Sequence, residues 1–232
     1  MSFLTYQFIS DTLGLAVTAN VILPNGYKAG DGTKTLYLLH GLSDDHTAWC
    51  RYTSIERYAR EKNIAVVMPA ADRSFYMNGP RGDYWTYISE ELPRVIRNTF
   101  GLSDKREDNF VAGLSMGGYG AMRHALLLPD RYFAAGSFSG AFCVEYFMGK
   151  DVKNTNDDVM YLLKKNFRNG VKLPRLYQHI GKKDSLYDVN QRFRDLLKDL
   201  RIPSKYVEDE GDHSWKYWDE QVKCFIDWAL SE

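Results

Sequence analysis

One serine of this chain has neighbours that suit a reactive hydroxyl. Ser115 lies at the centre of GLSMG, which matches the pattern G-x-S-x-G, and Gly118 follows directly. The residues before it are apolar and partly β-branched, whereas the apolar residues after it recur at helical spacing. Ser115 is therefore predicted to lie on a strand-to-helix turn, where glycines leave room for a strained backbone that projects the hydroxyl from the sheet edge. This arrangement is typical of a nucleophile.

A serine nucleophile needs a base, which is usually a histidine held by a carboxylate. The chain has five histidines: His40, His46, His124, His179 and His213. His213 lies in EDEGDHSW, on a loop between a predicted strand and the last helix, and such loops display catalytic groups at the edge of a parallel sheet. Of the other four, His40 fits a bracing role in a loop and His46 lies in a polar loop. His124 fits a solvated or packing role in a helix, and His179 fits a core or sheet position in a strand. His213 is therefore the predicted base.

Three aspartates compete for the role of the acid that orients this base. Asp184 comes two lysines after the predicted strand RLYQHIG, which places its carboxylate at the carboxyl end of the sheet. Asp188 lies at the start of the next helix, where acidic residues favour the helix dipole. Asp212 adjoins His213, and adjacent side chains rarely face one another. Asp184 ranks first, and the order Ser115, Asp184, His213 is that of the α/β-hydrolases.

Acyl transfer also requires N–H donors for the oxyanion, one from the residue after the nucleophile and one from an early strand-end loop. Met116 supplies the first by position. In LLHGLSDD, Gly41 ends a buried strand and lets the chain turn, so the amide of Leu42 is the second predicted donor. His40 has the simpler interpretation of a residue that braces this loop.

Alternating strands and helices must position these residues. The N-terminal segment alternates apolar and polar residues, as antiparallel strands do, and the rest alternates short apolar runs with segments of helical periodicity. This pattern predicts one α/β domain over residues 1–232, with a mostly parallel central sheet and helices on both faces. Residues 142–172 interrupt the rhythm, and the sequence leaves open whether they cap the site or contact a neighbouring subunit.

Composition narrows the class of partner. Thirty basic and thirty acidic side chains cancel to zero net charge, so there is no overall field to gather nucleic acid, and small molecules are the expected partners. The beginning of the chain lacks the pattern of an export signal, and no apolar run is long enough to span a membrane. Cys50, Cys143 and Cys224 form no C-x-x-C pair, which favours reduced thiols and a cytoplasmic location.

Four ordered motifs resemble a known family: LLHGLSDDHTAW, GLSMGGYGAM, IGKKDSLYD and GDHSWKYW. They are similar to the esterase family that includes esterase D, S-formylglutathione hydrolases and feruloyl esterases. Within it, the strongest resemblance is to the tributyrin esterases of lactic acid bacteria and streptococci. The resemblance spans almost the whole chain and implies an α/β-hydrolase fold. It also implies the catalytic and oxyanion roles argued above for Ser115, Asp184, His213, Leu42 and Met116.

The same resemblance extends to the substrate. The segment MPAADRSFYMNG resembles a strand-end loop that lines the family's active site, which implies that Ser74, Phe75 and Tyr76 neighbour the substrate. The implied activity is hydrolysis of small esters with short acyl chains, such as tributyrin or aryl acetates, through an acyl-enzyme and without a metal or organic cofactor. A thioesterase of the S-formylglutathione hydrolase type, an acyltransferase, and a binding protein with an inactive hydrolase fold are the alternatives. Whether the chain forms homo-oligomers is left open.

Overall fold

The computed structural model describes residues 1–231, which are organised around a central sheet of eight strands in the order β1-β2-β4-β3-β7-β8-β9-β10. A separate two-stranded ribbon joins β5 to β6. The strands are β1 (Ser2–Ser10), β2 (Leu15–Leu23), β3 (Thr35–Leu39), β4 (Ala65–Pro69), β5 (Asn78–Gly79), β6 (Gly82–Asp83), β7 (Asn109–Leu114), β8 (Ala134–Phe138), β9 (Arg175–Gly181) and β10 (Ser204–Asp209). Within the central sheet, β1 and β2 pair antiparallel, as β2 and β4 do. Every other neighbouring pair of that sheet, from β4–β3 to β9–β10, is parallel. The predicted mostly parallel sheet is confirmed.

Helices cover both faces of this sheet within the described part of the chain. They are α1 (Ala48–Tyr52), α2 (Ile55–Lys62), α3 (Tyr84–Thr86), α4 (Leu92–Phe100), α5 (Met116–Leu127), α6 (Val144–Met148), α7 (Val159–Arg168), α8 (Tyr187–Asp199) and α9 (Trp215–Leu230). Helices α1, α2 and α9 pack on one face, and α4, α5, α7 and α8 pack on the other. Because successive residues of a strand point to opposite faces, Leu38 faces the first layer and Leu39 the second.

A proline within one predicted helix is accommodated by a change of helical pitch. The helical periodicity of YISEELPRVIRNTF predicts one helix there. The segment is helical, but a π-helical turn (Tyr87–Glu91) precedes α4. Pro93 has no N–H to donate to the carbonyl of Ser89, four residues earlier. The guanidinium of Arg131 donates to that carbonyl instead. The buried backbone oxygen is thereby satisfied.

The loops after the parallel strands meet at one edge of the sheet, because parallel strands share a direction. The register pairs Leu39 of β3 with Gly113 of β7, so the loop after β3 begins beside the turn after β7. In the same way, β10 pairs with β9, with Asp209 opposite Gly181. The predicted catalytic, oxyanion and pocket residues all lie in these loops or at the helix ends that follow them. Within residues 1–231, no helix is both long and apolar enough to cross a membrane.

Candidate active site

Ser115 occupies a strained turn between β7 and α5. Its φ is 51° and its ψ is −114°, a conformation that residues with a side chain rarely adopt. Two backbone hydrogen bonds fix the turn: Ser115 N–H donates to the carbonyl of Phe138 at 2.9 Å, and Ala141 N–H donates to the carbonyl of Ser115 at 3.0 Å. The side chain is thus held at the sheet edge in one orientation.

The glycines around Ser115 are required by close backbone packing. A Cβ atom on Gly113 would lie 2.5 Å from the carbonyl oxygen of Gly117, and one on Gly117 would lie 2.4 Å from that of Leu39. Real Cβ atoms essentially never approach so closely, and the atoms in the way belong to the backbone. The G-x-S-x-G spacing therefore reflects the contact between α5 and β3 as well as the turn itself.

The structure brings Ser115, His213 and Asp184 into one hydrogen-bonded chain. His213 Nε2 lies 3.1 Å from Ser115 Oγ, and Nδ1 lies 2.9 Å and 3.1 Å from the two carboxylate oxygens of Asp184. The Asp184 carboxylate accepts a hydrogen bond from Nδ1–H, which keeps the proton of the neutral imidazole on Nδ1 and leaves Nε2 able to accept the proton of the serine hydroxyl. This arrangement can activate a serine nucleophile.

Asp184 is ionised in spite of its burial. Burial alone would raise its pKa, but the hydrogen bond and charge interaction with His213 offset that effect. The N–H of Leu186, which donates to Oδ1 at 2.8 Å, acts in the same direction. The net result is a pKa below the ordinary value for aspartate. The carboxylate can therefore stabilise an imidazolium at neutral pH.

The two competing aspartates are placed differently. Asp188 is exposed in the first turn of α8, and Asp212 is exposed and accepts a hydrogen bond from the hydroxyl of Ser214. Among residues 1–231, Asp184 is the carboxylate that hydrogen-bonds His213.

Two further residues support this chain and were not singled out from the sequence as site residues. The indole N–H of Trp218 donates to Ser139 Oγ at 3.0 Å, and the Ser139 hydroxyl helps to lower the pKa of the Asp184 carboxyl. The ring of Trp218 also packs perpendicular to that of His213, with 4.9 Å between centroids. Ser139 follows β8, and this position at a strand's carboxyl end was the one signal that the sequence offered.

The loop after β3 is braced by a neutral histidine. His40 is buried, and burial lowers its pKa to about 4. Its Nδ1 lies 2.7 Å from the carbonyl of Gly41, while Nε2 accepts the N–H of Ala71 at 2.9 Å, so the proton is on Nδ1. Within residues 1–231, the N–H groups of Leu42 and Met116 have no hydrogen-bond partner, which leaves both available to an oxyanion.

A cavity of about 480 Å³ opens onto the serine. Its lining includes Leu42, Phe75, Ser115, Phe147, His213 and Trp215. Of the three residues expected from the resemblance to neighbour the substrate, Phe75 lines this cavity. Ser74 lines a second cavity, and Tyr76 is buried, with its hydroxyl donating to the carbonyl of His40 at 2.9 Å. Tyr76 therefore lies behind the loop after β3, and its hydroxyl is hydrogen-bonded to the backbone of that loop.

The histidines assigned to packing are buried away from this cavity. His124 Nδ1 lies 2.7 Å from the carbonyl of Gly120, and burial lowers the pKa of His124 to about 3. His179 Nε2 lies 2.9 Å from a carboxylate oxygen of Asp209. In the described part of the chain, no three His, Cys, Asp or Glu side chains are grouped so that they could hold a metal ion.

Several known proteins that this chain resembles are described as esterases or related hydrolases. Residues 10–223 match the family model described as "Putative esterase". An acetyl esterase of Caldicellulosiruptor saccharolyticus is 28% identical over 222 residues, which cover 85% of this chain and 84% of the relative. The structure resembles the substrate-bound fluorophosphonate-binding serine hydrolase FphF of Staphylococcus aureus, with a TM-score of 0.93, 37% identity, and coverage of 100% of this chain and 99% of the other.

An S-formylglutathione hydrolase of Staphylococcus aureus is similar in structure, with a TM-score of 0.91, 37% identity and coverage of 99% of both chains. The fold is that of an α/β-hydrolase, and the class is that of carboxylic ester hydrolases. Within that class, the chain belongs to the esterase family whose model it matches over most of its length. The closer resemblance to tributyrin esterases stays a prediction.

Proposed function

We propose that this chain is a serine carboxylesterase that hydrolyses small esters with short acyl chains, such as aryl acetates and tributyrin. The observation that carries the proposal is the hydrogen-bonded chain from Asp184 through His213 to Ser115, which ends in a cavity of about 480 Å³. A volume of this size suits a small ligand, since small-molecule sites span roughly 300–1,000 Å³.

In the first half of the reaction, Ser115 Oγ attacks the ester carbonyl carbon while His213 Nε2 takes the hydroxyl proton. The carbonyl π electrons move onto the oxygen, and the N–H groups of Leu42 and Met116 donate to the resulting oxyanion. When the tetrahedral intermediate collapses, the bond to the alcohol oxygen breaks. That oxygen takes the proton from His213, and the acyl group stays on Ser115.

In the second half, water attacks the acyl-enzyme and gives its proton to His213 Nε2. Collapse of the second oxyanion breaks the bond to Ser115 Oγ, which recovers the proton, and the carboxylic acid leaves. Asp184 holds the imidazole in the required tautomer and stabilises the imidazolium in both halves.

The cavity lining supports a neutral substrate. Apart from His213, the side chain with a formal charge in that lining is Asp44, and its carboxyl is half-buried. Burial raises the pKa of Asp44 above its ordinary value. If a ligand carries an acidic group beside the reacting carbonyl, the Asp44 carboxylate repels that group, so binding of such a ligand is disfavoured.

A second candidate is hydrolysis of S-formylglutathione, favoured by the 37% identity to a protein of that name. The same residues would attack a thioester, with a thiolate as leaving group. The lining of the catalytic cavity contains no lysine or arginine to pair with the carboxylates of glutathione. Comparing kcat/KM for S-formylglutathione and for an aryl acetate distinguishes the two, and we expect the aryl acetate to be preferred.

We also propose that the chain is a single domain in which residues 142–172 form a cap over the site. They lie between β8 and β9 and contain α6 and α7, and Phe147 of α6 reaches the lining of the catalytic cavity. The predicted cytoplasmic location stays a prediction.

The direct test of the proposal is Ser115→Ala. We expect this variant to fold, to lose hydrolysis of p-nitrophenyl acetate and to escape labelling by a fluorophosphonate. Ser204→Ala is the matched control, because Ser204 is an exposed serine at the beginning of β10, at the other end of the sheet. Near-normal hydrolysis by Ser115→Ala would refute the mechanism.

A further inference from the structure

Two aromatic rings of the catalytic cavity are followed or preceded in the chain by residues that line a second cavity, of about 400 Å³. Phe75 and Phe147 both line the catalytic cavity, and their ring centroids are 5.5 Å apart. The residues beside them in sequence, Ser74 and Met148, line the second cavity together with Met77. The Phe75–Phe147 pair therefore belongs to the part of the catalytic cavity whose chain neighbours line the second cavity, and we call this pair the aromatic wall.

The order of strands shows which half of a substrate faces the aromatic wall. Phe75 follows β4 and His213 follows β10, and these strands lie on opposite sides of β7, which carries Ser115. The leaving alcohol must be near His213 Nε2 to receive its proton. The alcohol half of the ester then extends toward the β10 side, and the acyl half extends toward β4 and the aromatic wall.

The two rings of the wall differ in how firmly they are held. Phe75 is 1% exposed and packs against Tyr119, whose hydroxyl donates to the carbonyl of Asp157 at 2.8 Å. Phe147 is 38% exposed and belongs to α6, a helix of five residues that Gly149 caps. Phe75 is thus fixed by its surroundings, whereas Phe147 can be removed or rotated with little disturbance of the core.

We propose that Phe147 sets the upper limit of acyl length and that the second cavity is an extension site for the distal part of a medium-length acyl chain. This inference rests on the proposed esterase function. Met77 and Met148 give the second cavity apolar, adaptable surface, which suits a methylene chain. Without the ring of Phe147, the two cavities would join into one space that is still within the range of small-molecule sites, roughly 300–1,000 Å³.

The test compares p-nitrophenyl acetate, butanoate and octanoate as substrates of the full chain and of Phe147→Ala. We take acetate and butanoate to fit the catalytic cavity with or without the ring of Phe147, so that only the four distal methylenes of octanoate enter the second cavity. Each methylene transferred from water into an apolar site contributes up to about fourfold in kcat/KM, so these four limit the change in the octanoate-to-acetate ratio to roughly 200-fold. We expect the octanoate-to-acetate ratio of kcat/KM to rise at least about tenfold, within that ceiling. Phe167→Ala is the matched control, because Phe167 is a half-exposed phenylalanine of α7 outside both cavities, and its ratio should not change.

Two further measurements separate the extension site from a general opening of the active site. Filling the second cavity in the double variant Phe147→Ala/Met148→Trp should return the ratio toward that of the unmodified protein. Lengthening the alcohol half of alkyl acetates should leave the selectivity of Phe147→Ala unchanged. An unaltered octanoate-to-acetate ratio in Phe147→Ala, no reversal by Met148→Trp, or a gain that follows alcohol length would each overturn the inference. If the unmodified protein hydrolyses none of the three esters, the proposed function is refuted instead.

Discussion

Replacing Asp184 by asparagine tests the assignment of the acid with little change in shape. The side chain is fully buried, and both carboxylate oxygens lie within 3.1 Å of His213 Nδ1. An amide in this place carries no charge, and its NH₂ group donates where the carboxylate accepted. We expect the imidazole to adopt the other tautomer, with the proton on Nε2, where it can no longer accept the proton of Ser115.

The magnitude follows from the charge that is lost. An imidazolium and a carboxylate whose charge centres are about 4 Å apart interact by about 4 kcal/mol at an effective dielectric constant near 20, which corresponds to roughly a thousandfold in rate. The unfavourable tautomer adds to this, and the corresponding change in serine proteases lowers turnover by about ten-thousandfold. We therefore expect kcat of Asp184→Asn to fall by about 10³ to 10⁴, with residual hydrolysis supported by the oxyanion donors.

The assay is steady-state hydrolysis of p-nitrophenyl acetate, with circular dichroism and thermal unfolding to show that the variant folds. Asp188→Asn and Asp212→Asn are the matched controls, because both carboxylates are exposed and neither hydrogen-bonds His213 in the described structure. Their kcat should lie within a few-fold of the parent value. If Asp188→Asn proves the most damaging of the three, or if folded Asp184→Asn keeps near-normal kcat, the assignment is wrong.

Two other substitutions probe the fold around the site. Burial holds the pKa of His124 at about 3, so from pH 7 to pH 5 only the unfolded chain gains its proton, and the free energy of unfolding should fall by about 2 kcal/mol from this group. Urea unfolding at pH 7 and pH 5 measures this decrease in the free energy of unfolding, and we expect the decrease to be smaller in His124→Gln. Gly117→Ala places a Cβ 2.4 Å from the Leu39 carbonyl oxygen, so hydrolysis should fall at least about a hundredfold, whereas Gly79→Ala, with open space around it, should stay active.

The sheet could be predicted from sequence because its strands are continuous apolar runs. Strands β3, β4 and β7 are buried along their whole length, and such runs leave little alternative to a sheet covered on both faces. Helical periodicity in the sequence predicts one helix over residues 48–63. The helical periodicity over residues 48–63 corresponds to two helices, α1 and α2, because Thr53 takes an extended conformation between them.

The site was only partly predictable, because its supporting contacts join segments far apart in the chain. From the sequence, three aspartates were ranked as the acid of His213 mainly by their distance from a strand end. The burial of Asp184 and the exposure of Asp188 and Asp212 also distinguish them, but these depend on the packed structure. The hydrogen bond from Trp218 to Ser139 spans 79 residues. No local pattern distinguishes Trp218 from a tryptophan that only packs.

Backbone strain gives an independent reason to connect these residues with function. Phe75, Tyr76, Ser115 and Ser139 all have φ between 51° and 55°, and all follow the carboxyl ends of parallel strands β4, β7 and β8. Such a conformation costs about 1–3 kcal/mol for residues of these types, whereas glycine adopts it freely. Of the other four described non-glycine residues with positive φ, Asn63, Asp72 and Asn154 are of types that tolerate it, whereas Arg201 is strained in an exposed turn between α8 and β10, away from the site.

The cost at the strained positions is offset by contacts that leave the backbone no alternative. Ser115 is hydrogen-bonded through both its N–H and its carbonyl, and the N–H of Ser139 donates to the carbonyl of His179 at 2.9 Å. Glycine would remove the strain at Ser115, Ser139 and Phe75, but it would also remove three side chains: the proposed nucleophile, the hydroxyl that accepts the indole N–H of Trp218, and the fixed ring of the aromatic wall. The strain is therefore best explained by what these side chains do at the sheet edge.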